Sequence, residues 1–329
     1  MTLRSTGQTR MSTPKRQIVP RWVRRDPAVF MVYLLLTLLV VLVAAFSRNF
    51  DSSVALLGTF KQTTFLAIVS IGEFAVILGG GIDLSVGSVA KLSALISASL
   101  MAGSDARVLP AVAAAVGIGV GVGLINSFVI VRLRVAPFVA TFAMYYAVRG
   151  FSFAYSTQPV GEASPVLANF YDQQWFGVDA IDILLLLGWG VTWIAFQRLV
   201  VARHLYALGG NEDATRLAGV RVEAVRTATY VLCSVLAALA GVFEVMRAGV
   251  GDTTIGDGLE LAAITAVVLG GVSLFGGRGR VVGVLGGVLL LQMITTAFDY
   301  LQFNSLYQKL VQGLVILVAV AVYRQRRVT

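Results

Sequence analysis

Three ionisable side chains lie within or beside apolar runs in the first third of the chain. Glu73, Asp83 and Lys91 surround a segment that is broken by glycines, residues 79–88. If these runs cross a bilayer, each charge at its centre costs at least about 2.5–3.5 kcal/mol, so such residues are expected to line a polar route or to pair across helices. Glu73 and Asp83 are candidates for either role. Lys91 follows Asp83 by eight positions, a spacing that can place both on one helical face.

Small polar residues add hydrogen-bonding groups to the same apolar runs but no strong cation site. They are Ser85, Ser88, Ser93, Asn126, Ser127, Thr141 and Gln292. A carrier driven by protons or sodium more often has several carboxylates in the middle of its spans. The small number of such carboxylates therefore makes an ion-coupled secondary transporter a less favoured interpretation, without excluding it.

No motif in the sequence supports an enzyme. A glycine-rich phosphate loop ending in Gly-Lys-Ser or Gly-Lys-Thr is absent, so the chain is not predicted to be its own ATPase. The single histidine, His204, has no second ligand at metal-binding spacing, and neither a metal nor a cofactor is predicted. The single cysteine, Cys233, lies inside an apolar run and is interpreted as a small buried filler.

A repeated hexapeptide marks two interrupted apolar segments. Residues 75–80 (AVILGG) return 191 positions later as residues 266–271 (AVVLGG), and each copy opens into a polar, glycine-containing stretch. Unwound backbone at membrane depth is tolerated only where it lines a cavity or is buried in protein, so a matched pair of such segments favours a transport route. The alternative is a pair of glycine-rich seams for close helix packing.

Composition indicates a membrane protein with several spans. Of the 329 residues, 57% are hydrophobic and only 13% are charged, about half the charged share of soluble domains. The net charge of +9 does not indicate nucleic acid, because the cations concentrate before the first apolar run and after the last one. Cations at those places are typical of cytosolic flanks of membrane spans.

The hydropathy pattern predicts an all-α polytopic membrane protein with about ten transmembrane helices, an internal repeat and broken helices. The predicted crossings are 30–46, 54–79, 84–103, 109–131, 135–156, 181–199, 227–247, 259–275, 281–299 and 307–323. The positions of the cations place both termini in the cytosol and segments 47–53, 157–180, 248–258 and 300–306 outside. Residues 1–29 are then a cytosolic basic tail, 30–323 the transmembrane domain and 324–329 a cytosolic tail. The short span 259–275 could also be re-entrant.

Two connecting segments have features of partner-binding surfaces. In the inner loop 200–226, Asn211 is a predicted N-cap, Glu212 and Asp213 occupy the first turn, and Arg216 and Gly219 end a short helix. This helix is either a solvated turn or a fit for a groove on a cytosolic partner, and the second interpretation is favoured. The outer stretch 156–181 is either a solvated cap or part of a docking surface for an extracytoplasmic partner.

Three long motifs carry a family resemblance: residues 80–88 (GGIDLSVGS), 203–220 (RHLYALGGNEDATRLAGV) and 266–279 (AVVLGGVSLFGGRG). They resemble the ribose-type ABC importer permeases, the sugar and autoinducer-2 branch of the binding-protein-dependent inner-membrane components. Shorter matches occur at 123–126, 137–141 and Arg149-Gly150, and the similarity is collinear from about residue 54 to 323. Lys91 departs from the pattern, because such permeases more often have an apolar or small residue there, and the outer loop 158–182 has no strong likeness.

The resemblance implies a permease subunit in the bacterial inner (plasma) membrane, with no ATPase of its own. Its implied partners are a cytosolic ABC ATPase, a periplasmic or lipoprotein sugar-binding protein, and a second permease that is either identical or a sister chain. Residues 211–219 would be the coupling helix, with Asn211, Glu212, Asp213, Arg216 and Gly219 contacting the ATPase. The residues implied for the translocation path are Glu73, Asp83, Ser85, Ser88, Asn126, Thr141 and Ser273. The solute stays open among pentoses, hexoses, deoxysugars and a signalling furanosyl compound, and a membrane scaffold or channel is a further alternative.

Overall fold

The architecture is that of a computed structural model, which describes residues 27–47, 50 and 52–302, with positions 307, 310, 311, 313 and 314. Twelve helices and one hairpin have both of their ends among these residues, and the five separate positions from 307 to 314 are also helical. In order they are α1 Pro27–Phe46, α2 Ser52–Leu78, α3 Val86–Met101, α4 Val108–Ser127, α5 Pro137–Tyr155, α6 Pro165–Asp172, β1 Gln174–Trp175, β2 Val178–Asp179, α7 Ala180–Arg198, α8 Val200–Gly210, α9 Glu212–Leu217, α10 Val222–Ala248, α11 Leu259–Leu269 and α12 Val281–Tyr300. A 3₁₀ turn precedes α4, and a π-helical turn, Phe128–Arg132, extends it. The predicted tails, apart from residues 27–29, and most of the predicted crossing 307–323 lie outside the described residues.

Six helices in the described part of the chain are long and apolar enough to cross a membrane. They are Pro27–Phe46, Val54–Leu78, Asp105–Arg132, Ala180–Arg198, Val222–Ala248 and Val281–Tyr300. Two further apolar helices, α3 and α11, have 16 and 11 residues, fewer than the roughly 20 that a straight crossing needs. The protein is therefore an all-α polytopic membrane protein, and each short helix adjoins an irregular segment.

The core is built around α10, which packs against α2, α3 and α4. Helix α4 comes close to α10 where Gly119 and Gly123 face the α10 backbone. A Cβ built on Gly119 would lie 2.7 Å from Val235 Cα, and one on Gly123 would lie 2.6 Å from Val231 Cα. Small residues four apart allow two helix backbones to touch in this way. One glycine packing seam of this protein therefore lies on α4.

The inner loop contains more regular structure than its sequence predicts. Besides the short predicted helix, residues 200–210 form α8, whose Ala202, Leu205 and Leu208 are buried. The spacing of these three residues gives α8 one apolar face. Sequence analysis missed this helix because the adjoining Arg203 and His204 make the segment read as a basic loop.

The long loop after α5 contains the short helix α6 and a small hairpin. Ser164 caps α6, and its hydroxyl accepts a hydrogen bond from Leu167 N. The hairpin pairs Trp175 with Val178. The same loop is tied to the segment after α10 through an isolated bridge between Val160 and Gly251.

Candidate functional site

The first interruption, residues 79–85, begins with a glycine-capped helix end and is called the first break. Gly80 has a φ of +82°, a conformation that glycine adopts without steric cost. The Gly80 amide donates to Ile77 O at 2.9 Å, and the Gly81 amide donates to Val76 O at 2.9 Å. These two hydrogen bonds form a Schellman cap, which satisfies the last carbonyls of α2.

The second interruption, residues 270–280, is called the second break and repeats the same cap. Gly271 has a φ of +89°. Its amide donates to Val268 O at 2.9 Å, and the Val272 amide donates to Val267 O at 3.3 Å. Each donor and acceptor is displaced by 191 positions from its counterpart in the first break. The internal repeat seen in the sequence is therefore a repeat of backbone geometry.

Buried polar side chains hold the first break. Asp83 Oδ1 accepts hydrogen bonds from Ser85 N at 2.9 Å and from Ser85 Oγ at 2.6 Å. Asn126 Nδ2, on α4, donates to Ser85 Oγ at 2.9 Å. The Asp83 amide in turn donates to Glu73 Oε1, on α2, at 3.2 Å. Side chains from α2 and α4 thus fix the backbone between α2 and α3.

Two further predicted residues complete this group. Ser88 Oγ donates to Ser85 O at 2.8 Å, and Thr141 Oγ1, on α5, lies 3.3 Å from Ile82 O and 2.9 Å from Pro137 O. Six of the seven residues predicted for the path therefore meet in one place, and we call them the polar cluster: Glu73, Asp83, Ser85, Ser88, Asn126 and Thr141. All six are at most 1% exposed in the single chain.

Helix α10 adds two residues that the sequence did not single out. Cys233 is fully buried, as predicted, but its Sγ faces Glu73 Oε2 at 3.9 Å and is therefore part of a polar environment. Tyr230 is 2% exposed, and its hydroxyl occupies the space that a Cβ on Gly81 would need. Both residues lie in an apolar run, and no local pattern links them to the break. Only the packing of α10 on α2 brings them there.

The polar cluster keeps unused hydrogen-bonding capacity. Among the described residues, Asp83 Oδ2, Asn126 Oδ1 and Tyr230 Oη have no hydrogen-bond partner although they are buried. A small cavity with room for about one water lies beside Tyr230 and Gly81. A bridging water there would offset the cost of leaving a buried hydroxyl unpaired.

Ser273, the seventh predicted path residue, lies in the second break and not in the polar cluster. Its amide donates to Arg278 O at 2.9 Å, and its Oγ accepts from Phe275 N at 3.3 Å. The Gly276 amide donates to Ser273 O at 2.9 Å. Ser273 therefore organises a turn within its own segment.

The two breaks meet through their backbones. The Gly277 amide donates to Leu78 O, the last residue of α2, at 2.9 Å. Gly209, near the end of α8, is wedged between them: a Cβ there would overlap both Leu78 O and Gly277 N. Gly276 is equally close, since its Cβ would lie 2.8 Å from Gly209 Cα and 2.9 Å from Gly80 N. We call Gly80, Gly209, Gly276 and Gly277 the glycine junction.

Helix α9 follows the glycine junction directly and has the caps that the sequence predicts. Asn211 Oδ1 accepts from Ala214 N at 2.9 Å. At the other end Gly219 has a φ of +82°, and its amide donates to Arg216 O at 3.0 Å. Both ends are therefore defined by local sequence, which lets a helix of six residues exist at the surface.

Charged side chains tie α9 to the start of α10. Arg226 Nη2 lies 2.7 Å from Glu212 Oε2, and Arg216 Nη2 lies 3.2 Å from Glu212 Oε1. Arg216 also pairs with Glu223. The hydrogen bond and the positive charge from Arg226, with smaller contributions from Arg216, lower the pKa of Glu212. Arg226 and Glu223 were not predicted to take part.

Helix α9 also presents an apolar side chain to its surroundings. Leu217 is 89% exposed, the second most exposed large apolar residue in the described chain, after Phe176. Asp213 is exposed beside it. Sequence analysis passed over Leu217 because an isolated leucine in a short polar helix carries no periodic signal. The outward face of α9 therefore combines one apolar side chain with charged ones.

Metal binding has no support in the described residues. No group of three or more His, Cys, Asp and Glu side chains there is arranged to hold an ion.

Comparisons with known proteins identify a family. Residues 55–320 match the family described as branched-chain amino acid transport system / permease component. The chain is 37% identical over 306 residues to the ribose import permease protein RbsC of Escherichia coli strain K12, covering 89% of this chain and 92% of that relative. It is 36% identical over 303 residues to RbsC of Bacillus subtilis strain 168, with the same coverage. No solved structure matches the chain.

A more distant relative is named for the import of a different sugar. The chain is 30% identical over 316 residues to the fructose import permease protein FrcC of Rhizobium meliloti, covering 93% of this chain and 88% of that relative. The matches extend along nearly the whole chain and include both breaks, α9 and the glycine junction.

Proposed function

This chain belongs to the branched-chain amino acid transport system / permease component family, and from that premise we propose that it is the permease subunit of an ATP-driven sugar importer. The relatives named for ribose and fructose import support a sugar as the solute. D-Ribose is the first sugar to test, because the relatives named for ribose import reach the higher identities, 36–37%. The ion-coupled alternative gains no support from these relatives.

The observation that carries this proposal is the continuous backbone connection from α9 to both breaks. α9 is exposed and capped, as a docking element must be, and it begins at Glu212, three residues after Gly209. Gly209 touches the end of α2 and the second break at backbone distance. A displacement of α9 by a partner is therefore transmitted to both interruptions without a flexible side chain in between. A permease without a phosphate loop of its own needs a surface element of this kind, to which a separate ATPase can bind.

We propose that α9 is the coupling helix for a cytosolic ABC ATPase. Asn211 and Gly219 define its ends, and Glu212 and Arg216 hold it against α10. Asp213 and Leu217 are the side chains that it offers to the partner. The apolar Leu217 would fill a pocket, and Asp213 would select for a basic rim around it.

We further propose that the two breaks shape the translocation route. The polar cluster holds the first break in one form, and Ser273 organises the second break. Because the polar cluster is enclosed in the single chain, its six residues act mainly by fixing the backbone. Tilting of the spans during transport would bring their unused acceptors toward the route.

The proposed topology has ten crossings with both termini in the cytosol, which places α9 inside. The membrane domain extends over residues 30–323, flanked by the tails 1–29 and 324–329. Two permease subunits, identical or sister chains, would enclose the route in the inner membrane. A sugar-binding protein would dock on the opposite side, where α6 and the hairpin β1–β2 form the largest structured loop.

The proposal is tested by reconstituting the chain with an ABC ATPase and a sugar-binding protein from the same organism and measuring uptake of D-ribose, D-allose, D-fructose and D-galactose. Uptake of at least one sugar is expected to require all components and ATP. Steady accumulation by the purified chain alone in an ion gradient, without nucleotide, would overturn the proposal.

The role of α9 is tested separately by replacing Glu212, Asp213 and Arg216 together with alanine. We expect the variant to reach the membrane but to lose co-purification with the ATPase. The exposed Arg107, which lies by the proposed topology on the opposite side of the membrane, serves as the control. Arg107→Ala should retain the ATPase. Retention by the triple variant would remove α9 from the interface.

A further inference from the structure

The segment between α10 and α11 does not remain at the surface, where the sequence predicts residues 248–258. Gly251 lies against the end of α3, since a Cβ on it would be 3.0 Å from Ala98 Cβ. Five residues later, Gly256 lies against the opposite end of α3, where its Cβ would be 3.3 Å from Gly87 Cα. A Cβ on Gly251 would also lie 3.0 Å from Leu95 Cα, and Leu95 and Gly87 are eight helical positions apart, so the chain moves about 12 Å along α3. Hydropathy did not reveal this path because the segment is short and polar.

This descending segment, residues 252–258, consists of turns and contains no helix or strand. Irregular backbone at such depth is tolerated only where it is buried in protein or lines a water-filled cavity. Ile255 and Gly256 are buried against α3, whereas Thr254, Asp257 and Gly258 are exposed on the single chain. One face of the segment is therefore packed, and the other face requires water or polar partners.

An ion-paired group is centred on the exposed face of this segment. Lys91 Nζ, on α3, lies 2.8 Å from Asp257 Oδ1, and Arg149 Nη2, on α5, lies 3.7 Å from the same oxygen. The Lys91 side chain is 2% exposed, but those of Arg149 and Asp257 are 34% and 45% exposed. Asp83, predicted to share a face with Lys91, has its hydrogen bonds in the polar cluster instead. Exposed charges at this depth would be costly against lipid.

Aromatic rings border the charges. The Phe153 ring, on a residue that is 41% exposed, has its centre 5.2 Å from Lys91 Nζ and 5.6 Å from Arg149 Cζ. Tyr145 Oη accepts a hydrogen bond from Arg149. Cations over ring faces are stabilised by the ring quadrupole, and Phe153 remains partly exposed on the single chain.

A carboxylate with unused capacity lies at the same place. Glu260, in the first turn of α11, is 9% exposed, and within the described chain its Oε2 is buried without a hydrogen-bond partner. This oxygen lies so close to Gly87 that a Cβ there would overlap it. The group therefore contains two carboxylates, two cations and an open aromatic face.

We infer that Lys91, Arg149, Asp257 and Glu260, with Phe153, form a contact site for sugar hydroxyls on the translocation route. A guanidinium donates charge-assisted hydrogen bonds and a carboxylate accepts them, so both groups suit the hydroxyls of a sugar. A few polar groups beside an apolar wall are typical of small-molecule sites. The site is open on the single chain and is closed only when a second permease subunit covers it. The inference rests on the proposed function.

Water access to the descending segment is the first test. Cys233 is the only cysteine, so Cys233→Ala provides a background in which single cysteines are introduced. Thr254→Cys should react with a membrane-impermeant thiol reagent, and D-ribose with the binding protein and nucleotide should slow the reaction. Leu187→Cys, 61% exposed in the middle of α7, is the matched lipid-facing control and should not react. An unreactive Thr254→Cys in an active transporter would overturn the inference.

Charge removal in the assembled transporter is the second test. Asp257→Asn alone leaves Lys91 without its partner, so loss of uptake could reflect misfolding. The double variant Lys91→Met with Asp257→Asn removes both charges and should restore the amount of membrane protein. Its D-ribose uptake should stay at least tenfold below wild type, with a raised KM. Wild-type uptake by the double variant would mean that the pair is only structural.

The pair Glu244 and Arg247, 2.7 Å apart at the end of α10, is the matched control. Glu244→Gln with Arg247→Met should change thermal stability but not the KM for uptake. An equal rise in KM in this control would overturn the assignment of Lys91 and Asp257. If wild-type protein shows no uptake that depends on the ATPase and the binding protein, the proposed function fails instead, and cysteine labelling still reports on the site.

Discussion

The two breaks begin with identical backbone caps and then diverge. After the cap, the first break needs only five more residues before α3 starts at Val86, and buried side chains hold it. The second break extends to Val281, and its own backbone and glycines hold it. Ser85 of the first break corresponds to Gly276 of the second, so a side-chain hydrogen bond in one copy is replaced by a close backbone contact in the other.

The two copies of the repeat are therefore held in place by different kinds of contact. A break held by a buried polar network resists deformation, because each displaced group loses a partner that water cannot replace. A break held by glycine contacts follows the backbone that touches it. Since Gly209 touches both breaks, we expect both to respond to α8 and α9, and we expect the first break to resist displacement more than the second.

The largest expected effect comes from the glycine that connects the breaks. Gly209→Ala would place a methyl group against backbone atoms of Leu78 and Gly277. Backbone atoms cannot move aside as the end of a flexible side chain can. We expect the variant to yield no stably folded protein in detergent, measured by size-exclusion chromatography of a fluorescent fusion. Gly210→Ala is the matched control, because nothing lies within 4 Å of a Cβ there. Equal yields from both variants would remove the glycine junction as a rigid contact.

Exchanging the paired residues of the two breaks should have unequal effects. Gly276→Ser combines a φ of +83° with overlap against Gly209, which we expect to cost about 2–5 kcal/mol. Ser85→Gly removes the hydroxyl between Asp83 and Asn126, at about 1–3 kcal/mol. The thermal unfolding midpoints of the two purified variants show which substitution costs more stability. A larger loss for Ser85→Gly would contradict a second break held by backbone contacts.

Solvent access should also differ between corresponding positions. Leu84 is 6% exposed, whereas Phe275, its counterpart in the second break, is 59% exposed. In the Cys233→Ala background, Phe275→Cys should be modified by an impermeant thiol reagent in inside-out vesicles, and Leu84→Cys should be protected. Labelling of both positions at similar rates would show that the first break opens as readily as the second.

The smallest expected effect concerns the ion pairs that attach α9 to α10. Because Arg226 and Arg216 lower the pKa of Glu212 below its ordinary value of 4.5, the stabilisation is present above pH 4.5. It is lost as the pH falls through the lowered pKa. The difference in unfolding midpoint between wild type and Glu212→Gln should therefore be small near neutral pH and vanish in acid. The exposed Asp213→Asn is the control, and a difference that persists in acid would contradict this linkage.

Sequence patterns predicted the local features of the site well. Both caps of α9 and the positions of the two interruptions were predicted, because asparagine and glycine signals act within a few positions of the chain. The Schellman form of the helix ends at Gly80 and Gly271 was not predicted and is seen only in the structure. Six of the seven path residues proved to be neighbours, because they belong to or pack around one interruption. Helix α8 and the descending segment were missed, since neither has the length or hydropathy of a span.

The sequence by itself determined the membrane class, the two breaks and the short surface helix, because apolar length and glycine caps act through neighbouring residues. Only the tertiary structure decided which distant groups meet. Lys91 and Asp257 are 166 positions apart, and Gly209 reaches both breaks from a separate loop. Ion pairs and backbone contacts of this kind depend on how helices pack in three dimensions, and no local pattern of residue types encodes them.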